Sequence, residues 1–128
     1  MDSVKVLEKW GPGCHSFGFC NEQDIDKLES LLEEESKKNP GCPPIMFLAT
    51  EFPTNPLVFA QNLRRLRALA DKYAFPIVVD QTIGNFNVDV MPYADVVVNS
   101  LSKVFSGYSD VMGGRLVDAT VVIFACVI

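Results

Sequence analysis

The stretch Ala94-Asp95-Val96-Val97-Val98-Asn99-Ser100-Leu101-Ser102-Lys103-Val104-Phe105-Ser106-Gly107 decides how this chain is read. An apolar run of strand length, Asp95 to Asn99, passes directly into a polar segment. That segment holds one lysine, Lys103, with hydroxyls one and three residues before it at Ser102 and Ser100. A continuous run of this kind suits a strand in a parallel sheet covered on both faces. The lysine is then set where a strand ends, and the rest of the chain must show whether such a sheet exists.

Towards the N-terminus, Ile77-Val78-Val79-Asp80 reads as a second strand, buried on both faces and ending on a carboxylate. Before it, Leu63, Leu66, Leu69 and Tyr73 recur at helical spacing, which predicts a helix over about 58–73 with Arg64, Arg65 and Arg67 outward. Ile45-Met46-Phe47-Leu48-Ala49 is a third strand-length run, and it leads into Thr50–Pro56, a loop that two prolines keep from being helical. Asn21 is a good N-cap for a helix over roughly 22–37, with Ile25, Leu28, Leu31 and Leu32 on one side and Lys37 and Lys38 at its end. Val4–Trp10 fits either a short strand or a helical turn, and Gly11-Pro12-Gly13 breaks the chain after it. The apolar tail, Thr120–Ile128, is about half as long as a membrane span requires and reads as a buried strand or a truncated edge.

Apolar strands alternating with amphipathic helices predict an α/β fold with a parallel sheet. In such sheets ligands gather outside the carboxyl ends of the strands. Three such ends carry polar residues here: Glu51 to Asn55, Asp80, and Ser100 to Lys103. Parallel neighbours bring them to one edge of the sheet.

Bulk properties narrow the options. The chain has 128 residues, 48% apolar and 21% charged, with a net charge of −5, the profile of one ordinary globular domain rather than a nucleic-acid binder. Much of the acidity lies in residues 21–38, as an acidic helix face. Cys14, Cys20, Cys42 and Cys126 show no C-x-x-C pair and His15 is the single histidine, so no metal site is expected and free thiols are. No membrane span and no signal peptide are read, which places the chain in the cytoplasm as an expectation.

The three strand ends suit a pyridine-ring aldehyde that bears a phosphate. Its aldehyde needs an amine that condenses with it, its ring nitrogen a carboxylate, and its phosphate hydroxyl and N–H donors at a strand end. Lys103, Asp80, and Ser100 with Ser102 match those demands by residue type and placement. By spacing alone each also has a plain reading, a solvated lysine, a turn-forming aspartate and serines that close a turn. An unrelated nucleotide-binding α/β domain fits poorly, because no glycine-rich loop follows the first strand.

Three longer segments carry a resemblance. These are Val78-Val79-Asp80-Gln81-Thr82, then Ala94 to Lys103, then Gly107-Tyr108-Ser109-Asp110-Val111-Met112-Gly113-Gly114. With the loop Glu51-Phe52-Pro53-Thr54-Asn55-Pro56-Leu57, they resemble the cysteine/methionine-metabolism family of pyridoxal-phosphate enzymes, the trans-sulfuration enzymes. Within it, Lys5–Cys14, Leu69–Tyr73 and Asp80–Tyr93 are most similar to fungal-type cystathionine γ-synthases.

The resemblance implies part of the large domain of a fold-type-I enzyme, a mainly parallel sheet with flanking helices, with pyridoxal 5′-phosphate as cofactor. It implies that Lys103 joins the cofactor and later shuttles protons. Asp80 would pair with the ring nitrogen, Ser100 and Ser102 would bind phosphate, and Asn55 would approach the ring hydroxyl. The implied reaction is γ-replacement on an activated homoserine by cysteine, with γ-lyase, β-lyase and homoserine sulfhydrylase as family alternatives. Implied partners are small amino-acid substrates and a homo-oligomer.

The likeness covers about residues 3–114, a partial cofactor-binding domain, and residues 115–128 form a divergent apolar tail. The family's glycine-containing phosphate loop and its carboxylate-binding arginine have no counterpart in the sequence. The chain therefore reads as a fragment of the cofactor domain, weakly active or inactive alone. The alternative is a non-catalytic remnant that folds, or that associates with a full-length homologue.

Overall fold

The computed structural model describes residues 3–11, 13–85, 87–108, 110–118 and 122–127. The ambiguous first segment is a helix, α1 (Ser3–Trp10), whose half-buried side chains Val4 and Leu7 are three residues apart. Helix α2 (Glu22–Lys38) starts where Asn21 predicts, and the Asn21 side chain accepts the Asp24 N–H at 2.9 Å. Ile25, Leu28 and Leu32 are its buried stripe. Asp24 is buried with them, and it accepts the N–H groups of Phe19 (2.9 Å) and Cys20 (3.1 Å) and the Lys27 ammonium (2.9 Å).

Strand β1 (Leu48–Glu51) lies two to three residues later than the apolar run suggests, and helix α3 (Leu63–Tyr73) starts five residues late. The reason for the second shift is local. Thr54 folds the intervening loop back, accepting Val58 N at its carbonyl (2.8 Å) and Phe59 N at its hydroxyl (3.0 Å), and Val58 takes a left-handed φ of 53°. Asn62 then caps α3 by accepting Arg65 N at 3.1 Å. Leu63, Leu66, Leu69 and Ala70 face inward.

Arg65 does not point idly into water. It donates to Glu22 (2.9 Å), Asp26 (2.6 Å) and Glu29 (2.9 Å), and so clamps the acidic face of α2 onto α3. The acidic segment is thus a structural face, as its composition suggests.

Strands β2 (Ile77–Asp80), β3 (Val96–Ser100), β4 (Met112–Asp118) and β5 (Val122–Val127) complete a five-stranded sheet in the order β1-β2-β3-β4-β5. The first three are parallel, and β4 and β5 are antiparallel additions. Strand β4 runs through residue 114 without a break to Asp118, and residues 122–127 of the tail are strand β5 at the sheet's end.

The two faces of the sheet differ, against the expectation of burial on both. Ile77, Val79 and Val97 are buried under α2 and α3, whereas Val78, Asp80, Val96, Val98 and Ser100 on the other face are only half-buried. Helices α2 and α3 contribute to one core with the first face, while the second face is only half-buried.

Asp95 joins strand starts to helix. It accepts Ile77 N at 2.7 Å and the Arg67 guanidinium at 2.8 Å, and Arg67 also pairs with Asp71 at 2.8 Å. Burial opposes ionisation of Asp95, but the Ile77 N–H and Arg67 outweigh it and hold the carboxyl below its ordinary value. The Lys27 ammonium, then the Phe19 N–H, does the same for Asp24.

A carboxyl lowered on folding contributes fully above the ordinary carboxylate range, near about pH 4, and loses that contribution as pH falls through the lowered folded value. The thermal midpoint of the unaltered chain is therefore expected to fall as pH drops below about 4. Asp95→Asn will flatten that acid limb in melts recorded across the range. An acid limb as steep as that of the unaltered chain would remove Asp95 from this account.

Candidate functional site

The carboxyl ends of β1, β2 and β3 lie side by side because the parallel register pairs Glu51 with Asp80 and Asp80 with Val98. The ladder continues one step beyond the strands, with Phe52 N donating to the Asp80 carbonyl (2.8 Å) and Gln81 N to the Val98 carbonyl (2.9 Å). Side chains alternate between faces along a strand, so Glu51, Asp80 and Ser100 share the half-covered face.

Asp80 ends β2, and its Oδ1 accepts both the N–H of Thr82 (2.9 Å) and the hydroxyl of Thr82 (2.6 Å). The Thr82 hydroxyl oxygen in turn accepts Ser100 N at 2.8 Å. Asp80 and Ser100 are thereby joined through one side chain. Lys103 follows in the turn 101–106, exposed, with its N–H on the Ser100 carbonyl at 3.4 Å and its own carbonyl accepting Gly107 N at 2.9 Å.

Ser102 fixes that turn from the other side. Its hydroxyl oxygen accepts Gly113 N at 3.0 Å, while Leu101 N donates to the Gly113 carbonyl at 2.9 Å. A serine hydroxyl that accepts one bond still has its proton to donate. Asn55 stands on the exposed loop after β1, held by its N–H on the Glu51 carboxylate at 3.0 Å. Asp80 and Ser100 are thus bonded through Thr82, the backbone of Lys103 is tied to Ser100, Ser102 is tied to β4 at Gly113, and Asn55 belongs to the neighbouring strand end.

Two residues in the site's frame have no local sequence signal for their roles. Thr82 is one, because its link to Ser100 spans eighteen residues of chain. Gln81 is the other: it is 4% exposed and its side-chain amide donates to the Val88 carbonyl, which closes the loop after β2. Gly84 belongs to the same frame, because a Cβ there would lie 3.1 Å from the Phe52 carbonyl oxygen and 3.0 Å from Gln81 Cγ. The loops after β1 and β2 pack together at that point.

At the site Asn55 and Lys103 are exposed, and Asp80, Ser100 and Ser102 are half-buried. Two shallow hollows, of about 240 and 200 Å³, lie elsewhere, one beside Phe52 and Tyr93 and the other beside Pro43 and Lys72. Among the described residues no group of three or more His, Cys, Asp and Glu is placed to hold a metal, and no helix is long and apolar enough to cross a membrane. Cys14, Cys20 and Cys42 are free thiols. Burial, with the carboxylates of Asp24 and Glu51, pushes the Cys20 thiol up.

The donor set fits a pyridoxal-phosphate group. A carboxylate oriented by two donors, two hydroxyl-bearing residues at a strand end and a primary amine come from adjacent segments.

Comparison with known proteins gives the same direction. The family model described as Cys/Met metabolism PLP-dependent enzyme matches residues 5–124. A cystathionine gamma-synthase-like enzyme, iboG1 of Amanita muscaria, is 64% identical over 91% of this chain and 19% of its own length. Cystathionine gamma-synthase of Neurospora crassa is 47% identical over 89% of this chain and 18% of its own. Alanine racemase ungC of Aspergillus violaceofuscus is 40% identical over 90% and 20%. The chain thus spans about a fifth of the length of these curated relatives.

Among solved structures, cystathionine gamma-lyase of Lactobacillus plantarum complexed with L-serine superposes with a TM-score of 0.69 at 24% identity, over 91% of this chain and 28% of that one. The likeness establishes the fold, part of the large domain of a fold-type-I enzyme.

Proposed function

The chain belongs to the Cys/Met metabolism family of PLP-dependent enzymes, and from that membership we propose that it carries the central part of a cystathionine γ-synthase-like active site. The proposed reaction is replacement of the γ-substituent of an activated homoserine by cysteine. The two γ-synthase-like relatives, from Amanita muscaria and Neurospora crassa, support that choice. Residues 1–114 are proposed as the partial cofactor domain, followed by the tail of 115–128.

Bound at the strand ends, pyridoxal phosphate supplies an electron sink for negative charge at the substrate α-carbon. The chain's own residues do the rest. The Asp80 carboxylate would hold a proton on the ring nitrogen, and Thr82 keeps that carboxylate oriented. The hydroxyls of Ser100 and Ser102 would hold the phosphate, and the Asn55 amide would serve the ring hydroxyl. Lys103 Nζ would hold the aldehyde of the group, and its amine would take the proton from the substrate α-carbon and pass it to another substrate carbon.

Removal of an α-proton also starts a racemisation. The racemase relative favours a second reading in which the same residues act without γ-replacement.

The observation that carries the proposal is the bonded unit Asp80–Thr82–Ser100 with the Lys103 turn attached to it. It is tested by mixing the purified chain with pyridoxal phosphate, reducing with borohydride and mapping the modified lysine. Modification concentrated on Lys103 and absent in Lys103→Ala is the expected result. Modification spread evenly over the surface lysines would remove the cofactor site from this chain.

A further inference from the structure

We propose that Thr82 is a positioning residue that locks the Asp80 carboxylate to the strand end bearing Ser100, so that the contacts to the ring nitrogen and to the phosphate are set as one unit. The inference rests on the cofactor reading above and assigns a role to a residue outside the set Lys103, Asp80, Ser100, Ser102 and Asn55.

The direction of every proton in the lock follows from chemistry. The Ser100 N–H can only donate, so the Thr82 oxygen at 2.8 Å is its acceptor. The single hydroxyl proton of Thr82 is then free to go to Asp80 Oδ1 at 2.6 Å, and the Thr82 N–H goes to the same oxygen at 2.9 Å. Both bonds fall on Oδ1, which leaves Oδ2 without a donor among the described residues. A carboxylate held by one oxygen through two donors has lost its freedom to rotate.

The lock is itself held rigidly. Asp80 and Gln81 on its N-terminal side are in the sheet ladder, through Phe52 N on the Asp80 carbonyl and Gln81 N on the Val98 carbonyl. Gly84 on its C-terminal side packs against the Phe52 carbonyl, where a side chain would crowd it. An ordinary turn threonine would close its own loop only. This one spans two strands, and the pair it joins is the carboxylate and the hydroxyl-bearing residue that the cofactor would need together.

The test compares Thr82→Val, which keeps the side chain's shape and removes both hydroxyl bonds, with Thr82→Ser, which keeps the hydroxyl. Two probes are titrated: pyridoxal 5′-phosphate and its 1-deaza analogue, in which a C–H replaces the ring nitrogen. Thr82→Val is expected to weaken pyridoxal phosphate by about tenfold, the effect of one charge-assisted bond, and to weaken the analogue, which keeps only the phosphate contacts, clearly less. Thr82→Ser restores the affinity.

Equal weakening of both probes overturns the proposal, because Thr82 then only shapes the loop. If the unaltered chain binds neither probe, the cofactor reading fails. The lock is then decided by hydrogen exchange of the Ser100 amide in the free chain. Loss of protection in Thr82→Val with recovery in Thr82→Ser upholds the lock, and unchanged protection overturns it.

Discussion

An Asp80→Asn chain is expected to take up pyridoxal phosphate between about ten and a hundred times more weakly than the unaltered chain. The substitution is close to isosteric. An asparagine oxygen still accepts from the N–H and hydroxyl of Thr82, which bond Asp80 at 2.9 and 2.6 Å, so the loop and the link to Ser100 remain. What disappears is the negative charge that favours a protonated ring nitrogen. The measurement is an equilibrium titration followed by absorbance, with a thermal melt to show that the fold is intact. An Asp80→Asn chain that binds as tightly as the unaltered one would mean that the carboxylate does not meet the ring nitrogen.

The largest effect on stability is expected from Leu32→Ala, at about 2–5 kcal/mol. Leu32 is fully buried, on the stripe of α2 that packs with Leu66, Leu69 and Ile77 in one core. Removing its branched end leaves a void that those neighbours, anchored on a helix and a strand, fill poorly. Against a total of about 5–15 kcal/mol for an ordinary domain, that is a large share. Leu31, one position along and half-buried, is the internal control and should cost clearly less. Urea unfolding of both variants decides it. Equal losses would mean that the core does not close on Leu32 as described.

Periodic features were legible before the structure. Helix α2 begins at its Asn21 cap and β2 occupies the four residues of its apolar run, because capping and burial are local properties that sequence displays. The order of polar strand ends was legible for the same reason. Features that depend on partners distant in sequence were not. The start of α3 is delayed by Thr54, whose bonds to the 58–59 segment override a pattern that would extend the helix. The role of Arg65 as a clamp needs three carboxylates on another helix, and the role of Thr82 needs Ser100. Apolar strands promised burial on both faces, but α2 and α3 pack on one and the other is half-buried, which a residue pattern cannot assign.

The face on which Asp80 and Ser100 meet ties the chemistry to the alignment of two strands. In β3, Ser100 follows Asn99, a residue 5% exposed on the helix-covered side whose amide oxygen and nitrogen have no hydrogen-bond partner among the described residues. Sliding β3 by one residue against β2 would exchange their sides, setting an amide beside the carboxylate and turning the serine hydroxyl towards the leucines. The Thr82 hydroxyl could then no longer reach the Ser100 N–H. The bonds of Thr82 thus require the β2–β3 pairing seen here, and on the lock proposed above, cofactor capture would report a correctly threaded sheet.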